Sequence, residues 1–219
     1  MTACAIFDLD GTLTDSREGI VRSLRHALAE LERPLPDEAA LDHCIGPPLH
    51  LVLGELLQSD DEDLIQAGVA IYRQRYAGVG YRENRVYDGI PEALAELQKA
   101  GVRMFVATSK LLDYARPIIN EQGLGPYFVE LYGASLDGTL SHKQDILAKL
   151  IAEQDPDLSR SVMVGDRKYD IEGARDVGLP CIAASWGFAE SDELAAARPA
   201  ALCHGPGELA AAVRAFLGV

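Results

Sequence analysis

The sequence predicts an α/β fold, a parallel sheet with helices on both faces, interrupted by a helical insertion. Three observations predict it. From residue 84 onward, short apolar runs alternate with longer stretches of helical periodicity, which is how the repeated strand and helix steps of a parallel sheet read. An opening run at 3–8 has the same character, yet residues 17–83 hold no strand-like run. Acidic and hydroxyl residues follow directly after apolar runs, and a lysine opens a following helix, at the strand ends where such sheets collect their ligands. Together these describe a parallel α/β core, residues 1–16 and 84–219, with an inserted helical domain at 17–83.

Bulk composition sets the limits. The 219 residues are 48% hydrophobic and 25% charged, so the chain can bury a sizeable core. A formal net charge of −14 disfavours a nucleic-acid polymer or an anionic membrane as partner, because both would be repelled. Cys4, Cys44, Cys181 and Cys203 form no C-x-x-C pair, which argues for buried thiols in a reducing compartment rather than a zinc site or a disulfide framework. The beginning of the chain does not read as a signal peptide, and no apolar stretch reaches bilayer-spanning length; a cytoplasmic location is expected.

The elements follow in order. Strands are expected at 3–8, 102–107, 128–132, 161–164, 180–184 and 200–203, and core helices at 91–100, 111–122, 143–154, 168–177 and 206–217. Pro91 suits a first helical turn, Gly101 a C-terminal cap, and Gly178 with Pro180 a helix stop. In the insertion, Ile20, Leu24, Leu28 and Leu31 make one apolar stripe, with Asp15 and Glu18 spaced as a capping box at its start. Leu64, Ile65, Val69, Tyr72 and Tyr76 make a second stripe. The chain passages near 15–17 and 79–89 are candidate hinges.

Asp8 and Asp10 end the first strand, Thr108 and Ser109 follow "VRMFVA", Lys143 opens a helix, and "VGDRKYD" puts Asp166 and Asp170 after "SVMV". Two like charges about 4 Å apart repel by roughly 4 kcal/mol at an effective dielectric near 20. Carboxylates from two strands therefore need a cation. Oxygen ligands without a His or Cys cluster point to Mg²⁺. With the metal and Lys143 in place, the natural guest is a phosphoryl group, held also by Thr108 and by backbone N–H groups near 9–10 and 109. One carboxylate can then attack phosphorus while the other, two residues on, protonates the leaving oxygen and later activates water.

"FDLDGTLTD", "VATSK", Lys143 and "GDRKYD" resemble the four motifs of the haloacid-dehalogenase-like phosphatases, in the same order and spanning almost the whole chain. The resemblance implies a Rossmann-like core with a mobile helical cap over it. It implies Asp8 as nucleophile and metal ligand, Asp10 as general acid/base with its carbonyl on Mg²⁺, and Asp166 as a direct metal ligand. It further implies Asp170 acting through water or Lys143, Thr108 and the Ser109 N–H on the phosphoryl oxygens, and Lys143 offsetting charge on nucleophile and phosphate. Members that dehalogenate lack the second aspartate, so Asp10 marks a phosphate handler.

The expected substrate is a small phosphorylated metabolite. The helical insertion is similar to that of phosphoglycolate phosphatases, while "YRENRVYDGI", "ATSK" and "GASLDG" look more like a bacterial 5′-nucleotidase-like branch; "HKQD" departs from the former, where a proline usually follows the lysine. Two other readings stay open: a phosphomutase of the β-phosphoglucomutase type, and a non-catalytic phospho-acceptor module, against which Asp10 and the cap argue. "IGPPL" (45–49) and the Arg73, Arg75 and Tyr76 group are candidates to face the substrate, and Trp186 either approaches the pocket or packs in the core.

Overall fold

In a computed structural model of the protein, which describes residues 2–136, 138–190 and 192–219, the sheet is six-stranded and parallel. Its strands are β1 (Cys4–Phe7), β4 (Arg103–Leu111), β5 (Glu130–Ala134), β6 (Ser161–Gly165), β7 (Cys181–Ala184) and β8 (Ala201–Cys203), in the order β5-β4-β1-β6-β7-β8. β1 lies between β4 and β6, so the chain crosses to one side of it and later to the other. That reversal opens a crevice at the carboxyl ends of β1, β4 and β6.

Alternation along the strands builds two cores. Ala5, Phe7, Met104, Val106, Val162 and Val164 face one side, beneath α4 (Ile90–Lys99), α5 (Leu112–Glu121) and α9 (Leu209–Leu217). Cys4, Ile6, Phe105, Ala107 and Met163 face the other, beneath α6 (Lys143–Gln154), α7 (Lys168–Asp176) and α8 (Glu193–Ala197). Burial on both faces is why these strands read as continuous apolar runs. All four cysteines are buried free thiols, and no described helix is long and apolar enough to cross a membrane.

Helices α1 (Arg17–Glu30), α2 (Leu49–Leu57) and α3 (Glu62–Gly78) form a third apolar cluster of their own, centred on Leu24, Leu28, Leu53, Val69 and Tyr76. A 3₁₀ segment, Glu38–Cys44, joins α1 to α2. The two chain passages into and out of this helical unit pair as a short antiparallel ribbon, β2 (Thr14–Asp15) with β3 (Arg85–Val86).

That ribbon explains the loss of the expected capping box. Asp15 pairs with Arg85, its carboxylate accepting from the Arg85 side chain at 2.8 Å and from the Arg17 N–H at 3.1 Å. Ser16 becomes the residue before α1 and makes no side-chain cap bond. Elsewhere the shifts are small: the strand expected at 128–132 lies at Glu130–Ala134, and the first residues of the expected 206–217 helix form a 3₁₀ turn. The larger departure is β4, which runs four residues beyond the expected end at 107.

Candidate active site

The crevice collects the chemistry in one place. Asp8 follows β1, and the Asp166 carboxylate follows β6; Asp170 lies in the first turn of α7, and Lys143 is the first residue of α6. One carboxylate oxygen from each of Asp8, Asp166 and Asp170 lies within 4.8 Å of the others, and all three residues are buried. Lys143 Nζ reaches between them, 2.9 Å from Asp8 Oδ1 and 2.7 Å from Asp170 Oδ1, and donates to the Ala107 carbonyl at 2.9 Å.

The local backbone makes this approach possible. Gly11, with φ +83°, and Gly187 both sit where a β-carbon would overlap the Asp166 carboxylate. Asp166 is held by the Thr12 hydroxyl at 3.0 Å and the Phe188 N–H at 2.8 Å. Asp170 Oδ2 accepts from the Arg167 N–H at 3.0 Å, tying it to the turn that starts α7.

Electrostatics show what the cluster lacks. Burial pushes Asp8 up to about 6; Lys143 opposes that rise and Asp170 adds to it. Burial, then the charges of Asp170 and Asp8, hold Asp166 well above the usual carboxylate range. Burial works to lower Lys143, but Asp170 and Asp8 outweigh it and keep it a firm cation. One ammonium among three buried carboxylates leaves net negative charge, and an all-oxygen donor set fits a hard divalent cation.

Thr108 is buried on β4, and its hydroxyl accepts from the Lys110 N–H at 3.2 Å. Thr108 and Ser109 line a cleft of about 540 Å³ together with Asp8 and Asp10. Asp10 is held through Oδ2 by Lys110 Nζ at 2.6 Å. The expectation of a free N–H at residue 9 is not met: the Leu9 N–H is taken by Asp8 Oδ1 at 2.7 Å.

The helical unit supplies the opposite wall, with Ile20, Leu24, Val69, Tyr72, Arg73 and Tyr76. From "IGPPL", Gly46, Pro47, Pro48 and Leu49 line the cleft, whereas Ile45 is buried in the helical cluster. Arg73 faces the cleft with a buried Nε that has no hydrogen-bond partner among the described residues. Arg75 does not join it, being spent on Glu83 at 2.9 Å and Ser23 at 3.0 Å. Trp186 packs against the core and donates to the Thr12 carbonyl at 3.1 Å.

Sequence reasoning missed Thr12, Phe188, Lys110 and Arg167. Arg167 pairs with Glu193 at 2.8 Å and donates to the carbonyls of His43 and Ile45, so it bridges the sheet end and the helical unit. Its place beside Asp166 in "GDRKYD" was the available signal, as "TSK" was for Lys110.

Comparison with known proteins identifies the family. The model of haloacid dehalogenase-like hydrolases matches residues 5–184. A 5′-nucleotidase of Pseudomonas aeruginosa is 43% identical over 200 residues, 90% of this chain and 89% of its own. The tyrosine-protein kinase PtkA of Mycobacterium tuberculosis is 43% identical over 188 residues, 85% of this chain but only 63% of its own length. The crystal structure of a predicted phosphatase from Clostridium acetobutylicum superposes with a TM-score of 0.92 at 34% identity, covering 100% of each chain. The chain belongs to the haloacid dehalogenase-like hydrolase family, as an enzyme of the phosphatase kind.

Proposed function

We propose that the protein is a Mg²⁺-dependent phosphatase that hydrolyses a small phosphomonoester, a nucleoside 5′-monophosphate first among the candidates, through an aspartyl-phosphate on Asp8. The observation that carries this reading is Lys143, bridging Asp170 and the cleft-lining Asp8, in one buried cluster with Asp166. Asp8, Asp166 and the Asp10 carbonyl would hold the ion, which supplies positive charge to the phosphoryl oxygens when bound.

In the first step Asp8 attacks phosphorus, the ester P–O bond breaks, and a proton passes from Asp10 to the departing oxygen. Thr108, the Ser109 N–H and Lys143 hold the phosphoryl oxygens as negative charge builds there. In the second step Asp10 takes a proton from water, the water oxygen bonds to phosphorus, and Asp8 leaves as a free carboxylate beside inorganic phosphate. Asp170 keeps Lys143 aligned throughout. Residues 17–83 act as the cap that covers the site and excludes bulk water, with residues 1–16 and 84–219 as the core.

A cleft near 540 Å³ falls in the range of pockets that enclose a drug-sized ligand, and a two-carbon acid would leave most of it unfilled. That, with the 5′-nucleotidase among its relatives, favours a nucleotide over phosphoglycolate. The test is a screen of phosphorylated metabolites for Mg²⁺-dependent phosphate release, with Asp8→Asn as control. Nucleoside 5′-monophosphates should rank above phosphoglycolate, with no activity in the variant. Release by Asp8→Asn at the wild-type rate would refute the mechanism, and a preference for phosphoglycolate would refute the substrate class.

A further inference from the structure

Lys110 has no part in the catalytic roles described so far, yet it lines the cleft with a largely enclosed side chain. Its side chain is 7% exposed, and Nζ lies 2.6 Å from Asp10 Oδ2. Its position is a product of irregular backbone. β4 keeps register with β5 through Thr108 opposite Gly133, and the next pair is Leu111 opposite Ala134. Three residues on β4 thus span one step of β5, and the bulge re-aims Ser109 and Lys110. Gly133 makes room for it, since a β-carbon there would fall 2.8 Å from the Lys110 carbonyl oxygen.

The other side of the ammonium meets the helical unit. Nζ stands 4.9 Å from the ring centroid of Tyr76 on α3. Tyr76 in turn stacks on Tyr72 at 5.4 Å and meets Tyr114 edge-on at 5.2 Å, so its ring is fixed on both sides. A buried ammonium needs compensation, and here one carboxylate oxygen and one aromatic face provide it. Asp10 Oδ1, also buried, has no hydrogen-bond partner among the described residues.

We propose that Lys110 is a positioning residue for Asp10: it grips Oδ2, leaves Oδ1 for proton exchange with the leaving group and with water, and ties that grip to the seating of the helical unit through Tyr76. The inference rests on Asp10 being the acid/base of the proposed reaction. The grip suits both steps, because Oδ2 accepts from Lys110 whether Oδ1 carries the proton to be given up or stands ready to receive one. When the helical unit is not seated, the aromatic face is withdrawn and Asp10 loses its fixed orientation.

The experiment compares kcat/KM for phenyl phosphate and 4-nitrophenyl phosphate, nearly alike in shape but unequal in their need for leaving-group protonation, at saturating Mg²⁺. Lys110→Met should lose on the order of tenfold or more with phenyl phosphate and less than about threefold with the nitro ester. Lys110→Arg should restore most of the phenyl phosphate rate, and Tyr76→Leu should reproduce a weaker form of the same imbalance. Tyr76→Phe, which keeps the ring, should not. In an Asp10→Asn background Lys110→Met should add little, since the two act as one unit.

Equal losses on both esters, or full additivity with Asp10→Asn, would overturn the proposal. Should Lys110→Met fail to fold, the Arg and Tyr76 variants carry the same comparison, and an unchanged ester ratio in Tyr76→Leu would overturn the link to the helical unit. Absence of phosphate release from both esters by the wild-type enzyme would instead strike the phosphatase reading beneath it.

Discussion

The two walls of the cleft are built on opposite principles. At the sheet end, Asp8, Lys143, Asp166 and Asp170 are buried, and short stretches of backbone set the spacing: Asp8 and Asp10 are two residues apart, Asp166 and Asp170 four, and Lys143 opens its helix. The helical wall is mostly apolar, contributing Ile20, Leu24, Val69, Tyr72 and Tyr76, with Arg73 the one cleft-lining arginine on the described part of that wall. The contrast separates two tasks. In the proposed reaction the reacting groups must be held against their own repulsion, which takes a preorganised sheet end, while the helical wall, assigned there to the rest of the substrate, is an assembly of helix faces that can change residue by residue.

If the sheet end does the chemistry, its variants should fail in kcat and those of the helical wall in KM. Asp8→Asn removes the attacking oxygen and should lower kcat by roughly 10³-fold or more, checked by phosphate release under saturating Mg²⁺. Asp10→Asn should cost on the order of 10²–10⁴-fold with phenyl phosphate and much less with 4-nitrophenyl phosphate, read from the same assay. Lys143→Ala leaves Asp8 and Asp170 buried without their ammonium and should cost about 3–5 kcal/mol of stability as well as most activity, measured by denaturant unfolding.

Metal removal sharpens the comparison. With Asp8 raised from 3.8 to about 6, the metal-free native state binds protons that the unfolded chain has released. Its stability therefore falls as pH rises from about 4 through 6. Mg²⁺ competes with those protons, so the rise in Tm on adding it should be larger at pH 8 than at pH 5. An equal rise at both would separate the metal from this cluster. The smallest effect is expected on the wall: Arg73→Ala should raise KM by up to about tenfold with kcat little changed, because it removes binding shared by ground and transition states.

The same contrast governs what could be read from the sequence. The sheet, its helices and the gathering of Asp8, Asp10, Thr108, Lys143, Asp166 and Asp170 at one end of it were legible, because strands buried on both faces read as apolar runs and these polar residues come near their carboxyl ends or open the helix that follows. The ribbon at Thr14–Asp15 and Arg85–Val86 was not legible, since two residues per strand leave no periodicity. Nor was the reach of β4 to Leu111, because a bulge is set by the partner strand. Lys110 on Asp10, Thr12 on Asp166 and Arg167 on the Ile45 carbonyl all join residues a hundred or more positions apart, and no local pattern announces such pairs.

The most direct measurement is to acid-quench the wild-type enzyme during turnover with Mg²⁺ and a nucleoside 5′-monophosphate, and to locate the phosphoryl group by peptide mass spectrometry. A hydroxylamine-sensitive phosphoryl group on Asp8, missing in Asp8→Asn and accumulating in Asp10→Asn supplied with an activated aryl ester, is the predicted result. Steady release of phosphate with Asp8 never modified, or with the label on another residue, would contradict it.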